Sequence, residues 1–99
     1  MLYINSYLYV RPGKEDIFES YESQVLPLLK DHQGTLIYRI RPHQKDFISA
    51  NSDTPFEVHL LSFPDQQKFD NYLNDPRRIA LDGLKNEAII NTLIIKELK

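Results

Sequence analysis

His59 is the residue best placed to do acid–base chemistry. It stands two places after Glu57 in "FEVHLLSF". In an extended strand those two side chains share a side, and an imidazole beside a carboxylate serves as a general base near neutrality. Tyr7 or Asn5 of the first strand can pair with it across the sheet. The same surroundings also suit a histidine buried in a subunit interface with its hydrogen bonds satisfied. Arg39 and Arg41 alternate in the same way. They can grip a carboxylate ligand bidentately, or stack on tyrosines and pair with Glu57 or a partner-chain acid. Ser6, Tyr21, Tyr38 and Tyr72 carry hydroxyls that can orient a substrate in a small apolar cavity, or fill the core and bond to backbone. Ser6 has no His-Asp pair placed to activate it as a nucleophile.

Other chemistries find little support. The chain has no cysteine, which removes disulfides and thiolate catalysis. His32, His43 and His59 fall on a helix end, a loop and a strand, without metal-ligand spacing. "NSD" at 51–53 lacks the glycine and glutamate of a calcium loop, and the glycines are too scattered to cradle a phosphate. No metal and no cofactor is therefore expected.

The elements that must hold these residues follow from periodicity. "LYINSYLYV" alternates Leu2, Ile4, Ser6, Leu8 and Val10 with Tyr3, Asn5, Tyr7 and Tyr9, as a strand does; "RPG" then breaks it. A helix is expected from Lys14 to His32, with Ile17, Tyr21, Val25, Leu28 and Leu29 as its apolar stripe and Phe18 beside it. Pro27 should kink this helix, and Gly34 is a suitable left-handed stop. "TLIYRIR" is the second strand, placing Leu36, Tyr38 and Ile40 opposite Ile37, Arg39 and Arg41. After a long connection, "FEVHLLSF" is the third, placing Phe56, Val58 and Leu60 opposite Glu57, His59 and Leu61. "PDQQKFDNYLND" is a helix capped by Asp65, and Asp75-Pro76 opens a short third helix. "IINTLIIKEL" is the last strand.

This β-α-β-β-α-(α)-β order predicts an α+β, ferredoxin-like sandwich over residues 1–99 as a single domain, a four-stranded antiparallel sheet with helices on one face. The more aliphatic strand sides should meet the helices. The other face then carries Tyr3, Asn5, Tyr7, Tyr9, Arg39, Arg41, Glu57, His59 and Leu61. A face that apolar and tyrosine-rich marks an interaction surface, so a homodimer is expected, with two sheets face to face.

A chain of 99 residues with 41% apolar and 26% charged residues has the make-up of one soluble globular domain. Its net charge of −2 supplies no basic field for nucleic acid or anionic lipid. RNA-recognition domains share the topology and also carry aromatics on the open face, but the third strand lacks their basic-glycine-aromatic pattern. No apolar run is long enough to span a bilayer and no signal-peptide pattern opens the chain. The expected location is the cytoplasm, with no membrane and no nucleic-acid partner.

"VRPGKEDIFESY", "VLPLLKDHQGTLIYR" and "FPDQQKFDNYLNDPRR" resemble the dimeric α+β barrel superfamily. The nearest resemblance is to an uncharacterised bacterial family related to antibiotic-biosynthesis monooxygenase-like domains. The resemblance covers nearly the whole chain and implies the fold and a dimer. It also implies two functional expectations: binding of a small apolar or aromatic molecule, or a cofactor-independent monooxygenase or isomerase in which Tyr38, Tyr72 or His59 orients or deprotonates that molecule. The superfamily's haem-degrading members use a strand-one asparagine, a tryptophan and a histidine. Asn5 stands one place away from the corresponding position, on the opposite side of the strand. The chain has no tryptophan, and "DPRRIALDGLKNEA" contains no histidine. Haem degradation is disfavoured.

Overall fold

The computed structural model describes residues 1–99. Strand β1 (Leu2–Val10) alternates as its sequence dictates: Leu2, Ile4, Ser6 and Leu8 are buried, while Tyr3, Asn5, Tyr7 and Tyr9 are half-buried on the other side. The chain reverses at Gly13, whose φ of 85° favours glycine. The Gly13 amide donates to the Glu15 carboxylate at 2.8 Å.

Helix α1 (Glu15–Val25) follows and buries Phe18, Tyr21, Glu22 and Val25. Pro27 has no N–H to continue the ladder, and the chain tightens into a 3₁₀ segment, Leu26–His32. The expected kink is thus a change of helix type. The left-handed stop is Gln33, with φ 57°, and not Gly34. Gly34 is required for close approach: a Cβ there would lie 2.7 Å from Cε1 of Phe63.

Strands β2 (Thr35–Ile40), β3 (Glu57–Phe63) and β4 (Ile89–Leu98) complete an antiparallel sheet in the order β2-β3-β1-β4. This is the ferredoxin-like arrangement. Helices α2 (Gln66–Leu73), α3 (Pro76–Ile79) and α4 (Asp82–Ala88) join α1 on one face. The Asp65 carboxylate caps α2 by accepting from the Lys68 amide at 2.9 Å, and Asp75 caps α3 by accepting from the Arg77 amide at 2.9 Å. The expected single third helix is two short ones. Phe18, Phe63 and Ile4 are the largest apolar side chains wholly inside. Phe63 packs on Phe69 at 5.3 Å and on Tyr72 at 5.7 Å between ring centroids, binding α2 to the sheet.

Two strands present the opposite sides from those expected. In β3, Glu57, His59, Leu61 and Phe63 are buried beneath the helices, while Val58 and Leu60 turn to the open face. The register requires this, since Ser6 pairs with His59 and Leu8 with Glu57, residues that share a side. In β2 a bulge between Leu36 and Tyr38 shifts the register. An inserted residue flips every side chain beyond it. Arg39, opposite His59, and Arg41 therefore reach the helix side, where both bond Glu57, and Tyr38 faces outward, 64% exposed. Arg39, Arg41, Glu57 and Leu61 thus do not share the tyrosine face, and Tyr38 lies outside the helix-side layer.

Candidate functional site

The helix side of the sheet holds a cavity of about 140 Å³ between β1, β3, β4 and the helices. Its polar lining includes Ser6, Tyr21, Glu22, His59, Tyr72 and Arg78. Each is delivered by a separate local rule. Alternation in β1 puts Ser6 among Ile4 and Leu8. Helical spacing puts Glu22 four residues after Phe18 and three before Val25, inside the apolar stripe of α1. The Asp75-Pro76 start of α3 carries Arg78 to the cavity rim. Of the expected pocket residues, Ser6, Tyr21 and Tyr72 line this cavity together with His59, and Tyr38 does not.

Glu57 anchors the polar side. It has no exposed surface. Its carboxylate accepts from Arg39 Nε at 2.8 Å and from Arg41 Nε at 2.7 Å, and it bonds His59 Nε2. Glu19 on α1 pairs with both arginines from the outside. Burial pushes the Glu57 acid up, but the bonds from His59, Arg39 and Arg41 together outweigh it and hold the group down at about 2. Glu57 therefore remains a carboxylate and fixes the His59 ring.

Glu22 has the opposite environment. It is 2% exposed, and its Oε2 has no hydrogen-bond partner. His59 Nε2 lies 3.7 Å from that oxygen, beyond hydrogen-bond reach. Burial pushes the Glu22 acid up to about 7, against the attraction of His59. A carboxyl that changes charge near neutrality beside an imidazole can take and return a proton. The Nε of Arg78 is likewise buried without an acceptor, and its guanidinium carbon sits 5.0 Å from the Tyr72 ring centroid. Leaving such a donor unsatisfied costs about 1–3 kcal/mol. Burial also raises the Tyr21 hydroxyl to about 12, so it stays protonated as a donor, and it raises that of Tyr72.

Glu22, Glu57 and His59 offer ligand atoms within 4.8 Å of one another. As a metal set the trio is compromised, because both Glu57 oxygens already accept from guanidinium groups and His59 Nε2 turns to Glu57. A cation would have to displace two bound arginine contacts.

A second acid sits away from the cavity. Asp75, 6% exposed, accepts from Arg77 at 2.7 and 3.1 Å and meets His32 Nε2 at 2.8 Å. The bonds from Arg77 and His32 hold it well below the usual carboxylate range. This clamp ties the end of the 3₁₀ segment to the start of α3.

Sequence reasoning placed His59, Ser6, Tyr21 and Tyr72 as candidates but missed Glu22 and Arg78. The signal for Glu22 was available, as an acid within an apolar helical stripe. Arg78 has no such signal, since its neighbour Arg77 is identical in type and faces solvent.

No family model and no curated protein matches the chain. Solved structures do. A dimeric ferredoxin-like protein of unknown function from Jannaschia sp. CCS1 is 19% identical with a TM-score of 0.74, covering 99% of this chain and 98% of that one. A DABB family protein with a ferredoxin-like fold from Mesorhizobium loti is 15% identical with a TM-score of 0.69, covering 99% and 95%. An uncharacterised NIPSNAP domain protein from Burkholderia xenovorans is 12% identical with a TM-score of 0.71, covering 100% and 94%. These likenesses establish the ferredoxin-like fold. No helix is long and apolar enough to cross a membrane.

Proposed function

We propose that residues 1–99 act as a small homodimeric domain that binds a one-ring, largely apolar molecule in the cavity between sheet and helices. The observation that carries this reading is the cavity itself, walled by Leu8, Val25 and Phe69 and edged by the hydroxyls of Ser6, Tyr21 and Tyr72. An apolar cavity of about 150 Å³ takes a benzene ring, so about 140 Å³ suits one ring and little more. Amide NMR titration with phenol and with toluene tests it. Shifts centred on Ser6, Tyr21, His59 and Tyr72 are expected, and Ser6→Leu, which fills the space, should abolish them without changing the dimer mass. If neither compound perturbs those residues, the reading fails.

The dimer rests on the open face. Tyr3, Tyr7 and Tyr9 are half-buried there, beside exposed Tyr38, Ile40, Leu93 and Ile95. A continuous apolar face of this kind suits a second copy of the same sheet. Two solved structures of the same fold, from Bacteroides fragilis and Jannaschia sp. CCS1, are dimeric proteins. Sedimentation equilibrium at micromolar concentration should give twice the 11.7 kDa chain mass, and Leu93→Asp with Tyr38→Asp should halve it. A wild-type mass of one chain contradicts the proposal.

A second reading is an enzyme of the cofactor-independent monooxygenase or isomerase kind. Its support is Glu22, an acid poised near neutrality beside a histidine whose ring Glu57 fixes. In that reading His59→Ala cuts turnover while the dimer mass is unchanged. Unchanged turnover removes His59 from the mechanism.

A further inference from the structure

Two buried polar atoms have no partner within the chain, Glu22 Oε2 and Arg78 Nε, and both residues line the same small cavity. One carries a proton on or off oxygen; the other is a donor only. A buried polar group normally finds a partner, and here a bound molecule can supply both. It would present an oxygen acceptor to Arg78 and an exchangeable hydrogen to Glu22. Size limits it to about one ring.

We infer that the cavity is built for a one-ring ketone or its enol, with Glu22 moving the proton at carbon and the Arg78 Nε–H holding the oxygen. This rests on the pocket reading above and assigns its substrate class. The Glu22 carboxylate takes a proton from the carbon next to the carbonyl. The C–H electron pair becomes a C=C bond, and the carbonyl π pair moves to oxygen, which accepts from Arg78. Glu22, now protonated, trades that proton with solvent water and returns a solvent-derived one to the same carbon, so the C–H hydrogen is exchanged. In a β,γ-enone it can return it to the γ carbon, giving the conjugated isomer. Atoms and electrons balance with no oxidant or further reactant. His59, tethered to Glu57, is a positioning residue: its ring borders Glu22 and limits the burial penalty on the carboxylate.

The charged and titratable groups around Glu22 are His59 and Glu57 from β3, Arg39 from β2 and Arg78 from α3, with Tyr21, Tyr72 and Lys85 on the cavity wall. Burial dominates among them and sets the acid at about 7, so the rate should climb through that pH and level off above it.

The test uses the full chain and cyclohex-3-enone in deuterated water, followed by proton NMR, with phenol and toluene as binding controls. Wild type should exchange the hydrogens next to the carbonyl and form cyclohex-2-enone. Glu22→Gln should lower both rates about 100-fold or more, and Arg78→Met should lower them by about 100-fold with the pH profile retained. The wild-type pH profile is a second measure that needs no variant. Binding of cyclohex-3-enone at the cavity residues without exchange overturns the inference and leaves the pocket reading standing. Exchange that survives Glu22→Gln, or shows no inflection near the expected pH, also overturns it. Failure of the ketone and both controls to perturb the cavity overturns both readings.

Discussion

Asp75 and Glu22 are both buried acids in the helix layer, and the chain treats them in opposite ways. Asp75 receives the Arg77 side chain, the Arg77 amide and His32, and its acid is held low. Glu22 receives no hydrogen bond at Oε2, and its acid is pushed up to about 7. Burial alone therefore does not set an acid's character; the number of donors aimed at it does. Asp75 is spent on holding α3 against the 3₁₀ segment. Glu22 lines a cavity with one oxygen unpartnered, and a neighbouring acid, Glu57, takes the donors that would have quenched it.

The comparison can be broken at Glu57 first. Glu57→Ala removes the acceptor shared by Arg39, Arg41 and His59, and loss of one partner from a buried charge network costs about 3–5 kcal/mol. Both guanidinium groups reach solvent, so the lower end is expected in urea unfolding at pH 7. The Glu57 acid is depressed to about 2. Its contribution is therefore present above the ordinary carboxylate range and is lost as pH falls through that value.

Glu22→Gln should act with the opposite sign. The folded acid is raised from 4.5 to about 7, so the native state binds the extra proton and wild-type stability declines as pH rises between those values. The amide has no such penalty. Above pH 7 the variant should be more stable than wild type by at most about 3.5 kcal/mol, at about 1.4 kcal/mol per pH unit over the shift from 4.5 to about 7, and the two should converge near pH 4. A variant no more stable than wild type at pH 8 would mean that Glu22 finds a partner in solution.

Asp75→Asn sharpens the contrast with the smallest effect. Its partner Arg77 is exposed, and exposed partners contribute little. The unfolding midpoint should drop at neutral pH and rejoin wild type only in strong acid. Equal midpoints at pH 7 would show the clamp to be idle.

The sequence made β1, the helix caps and the chain order legible because each rests on local spacing. Asp65 and Asp75 cap where their neighbours require it, and the alternation of "LYINSYLYV" admits one inner side. The faces of β2 and β3 were not legible. Glu57, His59, Arg39 and Arg41 each read as surface residues one at a time, and only together do they neutralise one another enough to lie under the helices. "FEVHLLSF" offers aliphatics on both sides, so counting them does not decide. The bulge in β2 leaves no mark in "TLIYRIR", yet it moves Tyr38 out of the pocket and Arg39 and Arg41 into the Glu57 network. His59 was singled out for the carboxylate two places before it, which it does bond, and was placed on the wrong face.

The measurement closest to the central claim is carbon-13 NMR of the Glu22 side-chain carboxyl across pH, assigned by comparison with Glu22→Gln. A midpoint near 7 that moves when phenol occupies the cavity is the predicted result. A midpoint at the ordinary value of 4.5, unmoved by phenol, would contradict the account.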